Sequence, residues 1–113
     1  MNDFYTKLFG FSIRELTDKF AALEKEQTEL VLLKTEISTN LIKAERQIKR
    51  RESTPIKPVF FVNEPVEKIR DLAQSLGGGF KESKSEWKFN GYVVCDGWDP
   101  EGNIFQVRSL KSV

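Results

Sequence analysis

The second half of the chain presents a strand, a helix and further strands in an order that few folds can accommodate. Residues 58–62 (Pro-Val-Phe-Phe-Val) form a short run of β-branched and aromatic side chains, which is typical of a buried strand. A helix is predicted to follow, with Asn63 as its cap, Pro65 in its first turn and three consecutive glycines at its end. The apolar residues of this helix recur at helical spacing and form one face: Val66, Ile69, Leu72, Ala73 and Leu76.

Three strands are predicted after this helix, and they complete a βαβββ unit. They lie at about residues 80–82, 86–95 and 104–110, with a turn at residues 96–103 before the last of them. In that turn, Asp99 and Glu101 have the spacing of a carboxylate pair for acid–base chemistry. The sequence around them, Asp-Pro-Glu-Gly-Asn, is instead typical of a structural turn in which the aspartate accepts hydrogen bonds from its own backbone. We therefore predict no catalytic role for either carboxylate.

The first half of the chain admits two interpretations. Residues 11–54 contain neither glycine nor proline. Between Leu16 and Ile48, ten positions are separated by alternating steps of four and three residues. Eight of these ten positions carry apolar side chains, which is typical of a coiled-coil helix. Residues 28–33, however, end in four consecutive apolar side chains, as in a buried strand. The residue pattern alone leaves both a long helix and a set of strands open.

The composition argues against several classes of function. Lys and Arg number 18 and Asp and Glu 17, so the net charge of +1 argues against a nucleic-acid-binding protein or one that binds anionic membranes. No apolar run approaches the roughly 18 residues of a membrane span. The absence of histidine removes the commonest general base and the commonest metal ligand. The single cysteine, Cys95, is predicted to be buried in a protein of the reducing cytoplasm.

Three short segments resemble one known family. Residues 4–11 (Phe-Tyr-Thr-Lys-Leu-Phe-Gly-Phe) resemble the end of the first helix of the vicinal oxygen chelate superfamily, the glyoxalase and bleomycin-resistance group. Residues 76–78 (Leu-Gly-Gly) resemble the end of its second helix, and residues 99–105 (Asp-Pro-Glu-Gly-Asn-Ile-Phe) resemble the turn that opens its last strand. Their order and separation match two consecutive βαβββ units, so the resemblance covers nearly the whole chain.

The resemblance implies an α+β fold in which paired βαβββ modules form a curved, mostly antiparallel sheet. It divides a single domain, residues 1–113, into an incomplete first module (1–34), a connection (35–54) and a second module (55–113). In the first module, strands are expected at about residues 11–16, 19–25 and 28–34. The family's first strand has no counterpart here: either a partner chain or residues upstream supply it, or the barrel is incomplete, or the resemblance does not extend to this half. The alternative fold is a long N-terminal coiled-coil helix followed by one βαβββ module.

The resemblance also identifies the positions at which family members hold a divalent metal. The ligand that opens the second module falls on Lys57, and the glutamate ligand of the last strand falls on Gln106. The last strand of the first module offers Leu32 or Lys34. A protonated lysine has no lone pair and an amide coordinates weakly, so we predict neither a metal nor another cofactor.

Strand alternation then predicts a ligand-binding surface. If Gln106 faces the cavity of the fold, then Ile104 and Arg108 face it too, and by the same parity so do Val59 and Phe61. Arg108 is predicted to bind a carboxylate or phosphate through its planar guanidinium. The predicted ligand-binding residues are Arg108, Gln106, Phe61, Val59, Trp98 and Tyr92. The alternative for Val59, Phe61 and Ile104 is that they are ordinary core residues, and for Arg108 that it is a surface charge at a strand edge. Trp98 is placed in a turn, either as a lid over a pocket or as a residue that contacts a partner.

We therefore predict a homodimeric, metal-independent protein of glyoxalase or bleomycin-resistance type that encloses a small apolar or weakly acidic ligand, without catalytic residues. Two alternatives stay open. One is an interaction protein whose coiled coil dimerises and displays a βαβββ module. The other is a divergent metal-dependent lyase or dioxygenase.

Overall fold

The computed structural model describes residues 1–34 and 50–110, and the chain divides into two compact units, Met1–Ile48 and Lys49–Val113. The predicted connection between modules falls largely outside the described residues. Among the residues that are described, no helix has both the length and the apolar character needed to span a membrane.

The first unit consists of a helix and a three-stranded antiparallel sheet, here called sheet 1. The chain forms, in order, α1 (Asn2–Phe9), β1 (Ser12–Leu16), β2 (Phe20–Lys25) and β3 (Thr28–Leu33). The strands lie in the order β1-β2-β3, so each hairpin joins neighbours. Helix α1 ends at Gly10, whose φ of 78° places it in the left-handed region that glycine favours.

Burial explains why this segment folds as strands and not as one helix. The middle strand β2 places Ala21, Ala22 and Leu23 in the core, each at most 2% exposed. Helix α1 contributes four further buried side chains, Phe4, Tyr5, Leu8 and Phe9, and the Lys25 ammonium donates a hydrogen bond to the carbonyl of Phe9 over 2.6 Å. Differences in helix propensity are tenths of a kcal/mol per residue, whereas burying one leucine is worth about 2 kcal/mol.

The coiled-coil alternative is therefore wrong from Leu16 to Leu33, where the chain forms two hairpins. The rest of the predicted helix, towards Ile48, lies outside the described residues. The tight turn between β2 and β3 contains Glu26 at a φ of 55°, a conformation that a continuous right-handed helix does not contain.

The second unit contains the predicted strand–helix–strands order around a five-stranded sheet, here called sheet 2. Its elements are β4 (Val59–Val62), α2 (Val66–Ser75), β5 (Gly79–Phe80), a 3₁₀ turn (Ser83–Ser85), β6 (Trp87–Phe89), β7 (Tyr92–Trp98) and β8 (Ile104–Ser109). Strand β8 pairs in parallel with β4 and antiparallel with β7, and both β5 and β6 pair antiparallel with β7.

One predicted strand is broken in two. The strand expected at residues 86–95 is a hairpin of β6 and β7, joined by Asn90 and Gly91, which have φ angles of 51° and 84°. Asn-Gly with two positive φ angles is the strongest signal for a tight hairpin, and the prediction overlooked it. The consequence is that β7 runs on through Asp96 and Gly97 to Trp98, residues that were assigned to the turn.

Helix α2 begins and packs slightly differently from the prediction. Asn63 does not cap it, because the helix begins at Val66 and its N-cap position is Pro65, without a side-chain hydrogen bond. Val66, Ile69 and Ala73 are buried as expected, whereas Leu72 is 41% exposed. The chain leaves the helix through Gly77, whose φ is 94°.

Two glycines permit β5 and β7 to approach each other. Gly79 pairs with Trp98, and Phe80 pairs with Gly97, so each glycine lies opposite an aromatic ring. A Cβ atom on Gly79 would lie 2.6 Å from the Trp98 ring, and one on Gly97 would lie 2.8 Å from both the Phe80 ring and the Gly79 carbonyl oxygen. The Trp98 and Phe80 rings therefore occupy the space that side chains at positions 79 and 97 would fill.

Candidate functional site

Sheet 2 has two chemically different faces. Helix α2 packs on the face that carries Cys95, where Arg70 Nη2 lies 3.8 Å from the Cys95 sulfur. Phe105 and Val107 belong to that face and are at most 1% exposed. We call the opposite face, which carries Gln106 and Arg108, the distal face.

Strand register places the six predicted ligand-binding residues on the distal face. Val59 of β4 lies beside Gln106 of β8, and Phe61 lies beside Arg108. The Tyr92 ring contacts Phe61 at a centroid distance of 5.3 Å. Trp98 pairs with Ile104 at the other end of β7 and β8, so it belongs to a strand and not to the predicted turn.

Val59 and Phe61 are not ordinary core residues. Their exposed fractions are 39% and 59%. Phe89 and Trp87, which pair across β6 and β7 with Tyr92 and Val94, share the same face and are 47% and 43% exposed. The distal face therefore presents exposed aromatic and aliphatic side chains at one end.

A continuous chain of hydrogen bonds crosses the distal face. The Lys57 ammonium donates to one carboxylate oxygen of Asp96 over 2.8 Å, and the Gln106 amide nitrogen donates to the other over 3.2 Å. The Gln106 carbonyl oxygen in turn accepts a hydrogen bond of 3.0 Å from Arg108 Nε. Asp96 and Gln106 are buried, with 8% and 7% exposed, whereas Lys57 lies in the exposed stretch before β4.

The direction of these bonds determines what the face can still bind. Both oxygens of Asp96 and the amide oxygen of Gln106 already accept hydrogen bonds. Among the described residues, the terminal guanidinium nitrogens of Arg108 have no hydrogen-bond partner, and the Lys57 ammonium uses one of its three N–H groups. The remaining capacity at both ends is donating, and the charges of Lys57, Arg108 and Asp96 sum to +1.

Asp96 is the site residue that sequence reasoning missed. It was assigned to a turn, whereas β7 places it between Lys57 and Gln106. The Asn90-Gly91 hairpin could have revealed Asp96 in the sequence. The hairpin sets the register of β7, and the register determines that Asp96 lies on the distal face. Phe89 was missed for the same reason.

Arg108 also contacts an aromatic ring. Its guanidinium carbon lies 5.0 Å from the centre of the Phe89 ring, a cation–π geometry that orients the group. At the other end, the Arg50 guanidinium lies 4.6 Å from the centre of the Trp98 ring. Both aromatic residues thus lie under cationic side chains of the same unit.

The Asp99 carboxylate serves the turn, as predicted. It is fully buried and accepts hydrogen bonds from the backbone of Glu101 (2.9 Å) and of Asn103 (3.0 Å) through one oxygen, and from the Asn103 side chain (2.9 Å) through the other. These bonds hold both carboxylate oxygens inside the turn.

The single cysteine is buried beneath α2 as predicted. Cys95 is inaccessible, and this burial raises the pKa of its thiol, against the opposing effect of the nearby Arg70 guanidinium. Arg70 itself forms an ion pair with Glu86 and donates to the carbonyl of Lys81. The thiol therefore lies on the opposite side of sheet 2 from the polar chain.

The residues of the distal face do not fit a divalent metal. The Lys57 ammonium has no lone pair and adds a positive charge, and both amide atoms of Gln106 are already hydrogen-bonded. Leu32, within β3, has no donor atom. Within residues 1–34 and 50–110, no three Cys, Asp or Glu side chains come together as a metal site would require.

Comparison with solved structures identifies the fold. A glyoxalase/bleomycin resistance protein/dioxygenase family enzyme from Burkholderia phytofirmans superposes with a TM-score of 0.71, covering 98% of this chain and 88% of that one at 19% identity. The fosfomycin resistance protein FosX from Listeria monocytogenes gives 0.65, with 96% and 79% coverage and 13% identity. The bleomycin-binding protein of Streptomyces verticillus, solved with copper(II)-bleomycin, gives 0.56, with 96% and 83% coverage and 14% identity.

The chain therefore has the α+β fold of the glyoxalase and bleomycin-resistance proteins, the vicinal oxygen chelate fold, as the three short segments predicted. Sequence comparison adds nothing to this: no protein-family model matches the chain, and no curated protein sequence matches it. At identities below 20%, the likeness to these structures establishes the fold alone.

Proposed function

We propose that this chain is a metal-independent, small-molecule-binding protein of glyoxalase or bleomycin-resistance type, which holds an aromatic or apolar, weakly acidic ligand on the distal face of sheet 2. The observation that carries the proposal is that the hydrogen-bonded chain ends at Arg108 with guanidinium N–H donors left over, next to exposed aromatic rings. Apolar surface with a few convergent polar groups is the usual composition of a small-molecule site.

The two ends of such a ligand would meet different chemistry. Its acidic group would bind the terminal nitrogens of Arg108, whose planar fork matches a carboxylate or phosphate. Its apolar body would lie against Phe61 and Phe89, the exposed rings nearest to Arg108. The bond from Arg108 Nε to Gln106 and the Phe89 ring hold the guanidinium in place before the ligand arrives, which reduces the entropy cost of binding.

The solved structures support a small-molecule ligand. Two of the proteins that share the fold are a bleomycin-binding protein and a fosfomycin resistance protein. We propose binding and not catalysis, because the carboxylate of the distal face, Asp96, forms an ion pair with Lys57 and each of its oxygens already accepts a hydrogen bond. The buried free thiol of Cys95 agrees with a cytoplasmic protein.

The decisive experiment compares acids with their neutral analogues. The full-length chain is titrated with benzoate, phenylacetate and phenylphosphonate, and separately with benzamide and methyl benzoate, by NMR chemical-shift mapping and calorimetry. We expect the acids to bind and to shift the resonances of β8 and the β6–β7 hairpin. Arg108→Ala should weaken acid binding by about 10- to 100-fold, since a charged hydrogen-bonded pair is worth about 1.5–3 kcal/mol.

A matched control separates the Arg108 site from general electrostatics. Arg14→Ala removes the same charge from β1, where Arg14 forms an exposed ion pair of 2.8 Å with Glu29. It should leave acid binding unchanged. Equal weakening by the two substitutions, or acid binding that survives Arg108→Ala undiminished, would refute the assignment of the anchor.

We also propose a homodimer. Strand β1 is exposed along its whole length and lies at one end of the three-strand order of sheet 1. Two of its apolar side chains, Ile13 and Leu16, are 50% and 58% exposed, and edge strands of this kind usually become covered. Light scattering coupled to size-exclusion chromatography should give twice the chain mass of 13.1 kDa, and Ile13→Lys should return it to the monomer value.

A further inference from the structure

The chain of hydrogen bonds on the distal face ends in a cation on each side, but only one of the two cations has an anionic partner. The Lys57 ammonium forms an ion pair of 2.8 Å with the Asp96 carboxylate. Arg108 Nε donates to the uncharged amide of Gln106, and no carboxylate within residues 1–34 and 50–110 forms an ion pair with Arg108. Both ends offer N–H donors, but they differ in the charge that they can accept.

We infer that the ligand of this face is an aromatic acid with a single negative charge that carries an uncharged oxygen acceptor, such as a ketone or amide carbonyl, at the end opposite its acid group. The acid binds Arg108, and the uncharged oxygen accepts a hydrogen bond from Lys57. Molecules with an acid group at both ends fall outside this class. The inference rests on the proposed function, because it uses the same acid anchor, and it adds what the other end of the ligand must be.

The surroundings of Arg108 favour an anion. Strand register places Phe61 beside it on β4 and Val94 beside it on β7, and its guanidinium lies 5.0 Å from the centre of the Phe89 ring. All three neighbours are uncharged, and Arg108 itself is only partly exposed. A cation that is partly withdrawn from water gains most from a partner of opposite charge.

The surroundings of Lys57 favour an uncharged acceptor instead. Its ammonium uses one of three N–H groups on Asp96, so two remain for a ligand. The Asp96 side chain is only 10% exposed, so water screens its negative charge poorly. A ligand carboxylate at the same ammonium would lie close to this charge and be repelled by it. A carbonyl oxygen accepts the same hydrogen bond without that repulsion.

The strands set the distance between the two ends of the ligand. Lys57 precedes Val59 by two residues and Arg108 follows Gln106 by two, while Val59 and Gln106 are paired, so the two cationic residues are four steps, or roughly 13 Å, apart along the sheet. Their side chains converge on the hydrogen bonds between them, which brings the donors to roughly 10 Å. Val59, which is 39% exposed, lies between them on β4, so the body of the ligand can extend from Phe61 over Val59.

The test compares three benzoates of nearly equal shape on the full-length chain by calorimetry. para-Acetylbenzoate carries the uncharged oxygen, para-isopropylbenzoate lacks it, and terephthalate carries a second carboxylate in its place. We expect para-acetylbenzoate to bind about 3- to 10-fold more tightly than para-isopropylbenzoate, because it gains one hydrogen bond. Terephthalate should bind no more tightly than para-isopropylbenzoate. The same three substituents on the longer biphenyl-4-carboxylate cover the range of spans.

Asp96→Asn tests the charge argument directly. It keeps the size of the side chain and an oxygen acceptor, but it removes the charge that is paired with Lys57. The selectivity should then reverse, with terephthalate gaining about 10-fold in affinity relative to para-isopropylbenzoate. The double variant Lys57→Met/Asp96→Asn removes both charges, so the net charge is unchanged. In this variant, para-acetylbenzoate should lose its advantage over para-isopropylbenzoate.

A surface pair provides the matched control. Glu64→Gln also removes a carboxylate from a lysine, since Glu64 lies 3.3 Å from Lys68 in an exposed ion pair. It should leave the relative affinities of the three benzoates as they are in the unsubstituted chain. A reversal of selectivity by Glu64→Gln equal to that of Asp96→Asn would contradict the inference, because the effect would then be one of net charge.

The comparison of ligands on the unsubstituted chain needs no variant, so it decides the matter even if Asp96→Asn fails to fold. The inference is wrong if the acetyl group gives no advantage on either scaffold, or if the dicarboxylates bind most tightly. In both cases the proposed function stands, provided that Arg108→Ala still weakens the binding of para-isopropylbenzoate. If none of the acids binds, or if Arg108→Ala has no effect on them, the proposed function fails and the inference fails with it.

Discussion

The substitution Gly97→Ala tests the packing that holds β5 against β7. Gly97 has a negative φ, so its backbone is not a conformation reserved for glycine. At an unstrained site, replacing glycine by alanine would stabilise the protein by about 0.4–1 kcal/mol, because alanine lowers the conformational entropy of the unfolded chain. Here the added Cβ would lie 2.8 Å from the Gly79 carbonyl oxygen and 2.8 Å from the Phe80 ring.

The contact with the Gly79 carbonyl oxygen determines whether Gly97→Ala stabilises or destabilises the protein. This oxygen is a backbone atom of the paired strand, and moving it disturbs the register of β5 and β7, whereas a ring alone could rotate. Overpacking of this kind costs about 1–3 kcal/mol, which exceeds the entropic gain. The melting temperature should therefore fall by roughly 4 °C for each kcal/mol of net loss.

The assay is urea unfolding at 25 °C followed by circular dichroism, with thermal melting as a second measurement. Gly79→Ala provides the comparison, because the three atoms nearest to its Cβ would be side-chain atoms of Trp98, the closest at 2.6 Å. We expect Gly97→Ala to lose at least as much stability as Gly79→Ala. A Gly97→Ala protein as stable as the parent would refute the reasoning, since it would mean that the two strands separate at no cost.

Three further predictions concern the core and the turn. Leu23→Ala should lower the free energy of unfolding by about 2–5 kcal/mol, because Leu23 is fully buried in sheet 1. Leu33→Ala, at a site 71% exposed, should change that free energy by no more than about 0.5 kcal/mol. Urea unfolding measures both changes, and equal losses would contradict the strand assignment. Asp99→Ala should cost about 2 kcal/mol or more, because it leaves three donors of the turn unpaired, while Glu101→Ala should change little; thermal melting should separate them clearly. Burial raises the pKa of Cys95, so the folded state prefers the neutral thiol. This preference stabilises the folded protein fully below the ordinary thiol pKa, and the stabilisation is lost as the pH rises through the raised pKa. Unfolding free energies measured upward from about pH 8 should fall more steeply for the parent than for Cys95→Ala, and parallel curves would contradict the assignment.

The ligand-binding prediction depended on knowing which side chains of each strand share one face of sheet 2. The sequence showed this alternation for some strands but not for all of them. The run before α2 and the Asp-Pro-Glu-Gly-Asn turn located β4 and β8, so the alternation of Val59, Phe61, Gln106 and Arg108 followed from the sequence. In β7 the same reasoning failed, because the hairpin at Asn90 was overlooked and Asp96 was assigned to a turn. The missing residue was therefore the centre of the polar chain.

The sequence by itself determined the elements whose signals are local. The glycines after α2, the turn around Asp99 and the burial of Cys95 each follow from the conformational or chemical preference of a few neighbouring residues. These preferences hold wherever the segment lies, so they can be read without knowing what packs against it.

Only the tertiary structure decided between helix and strands at Leu16–Leu33, since the core formed by α1 and β2 outweighs helix propensities that are small for each residue. It also decided what Asp96 does, because its partner Lys57 lies 39 residues away along the chain. Hydrogen bonds between such distant residues exist only after strands from separate places have paired, and that pairing brings the polar groups of Lys57, Asp96 and Gln106 together.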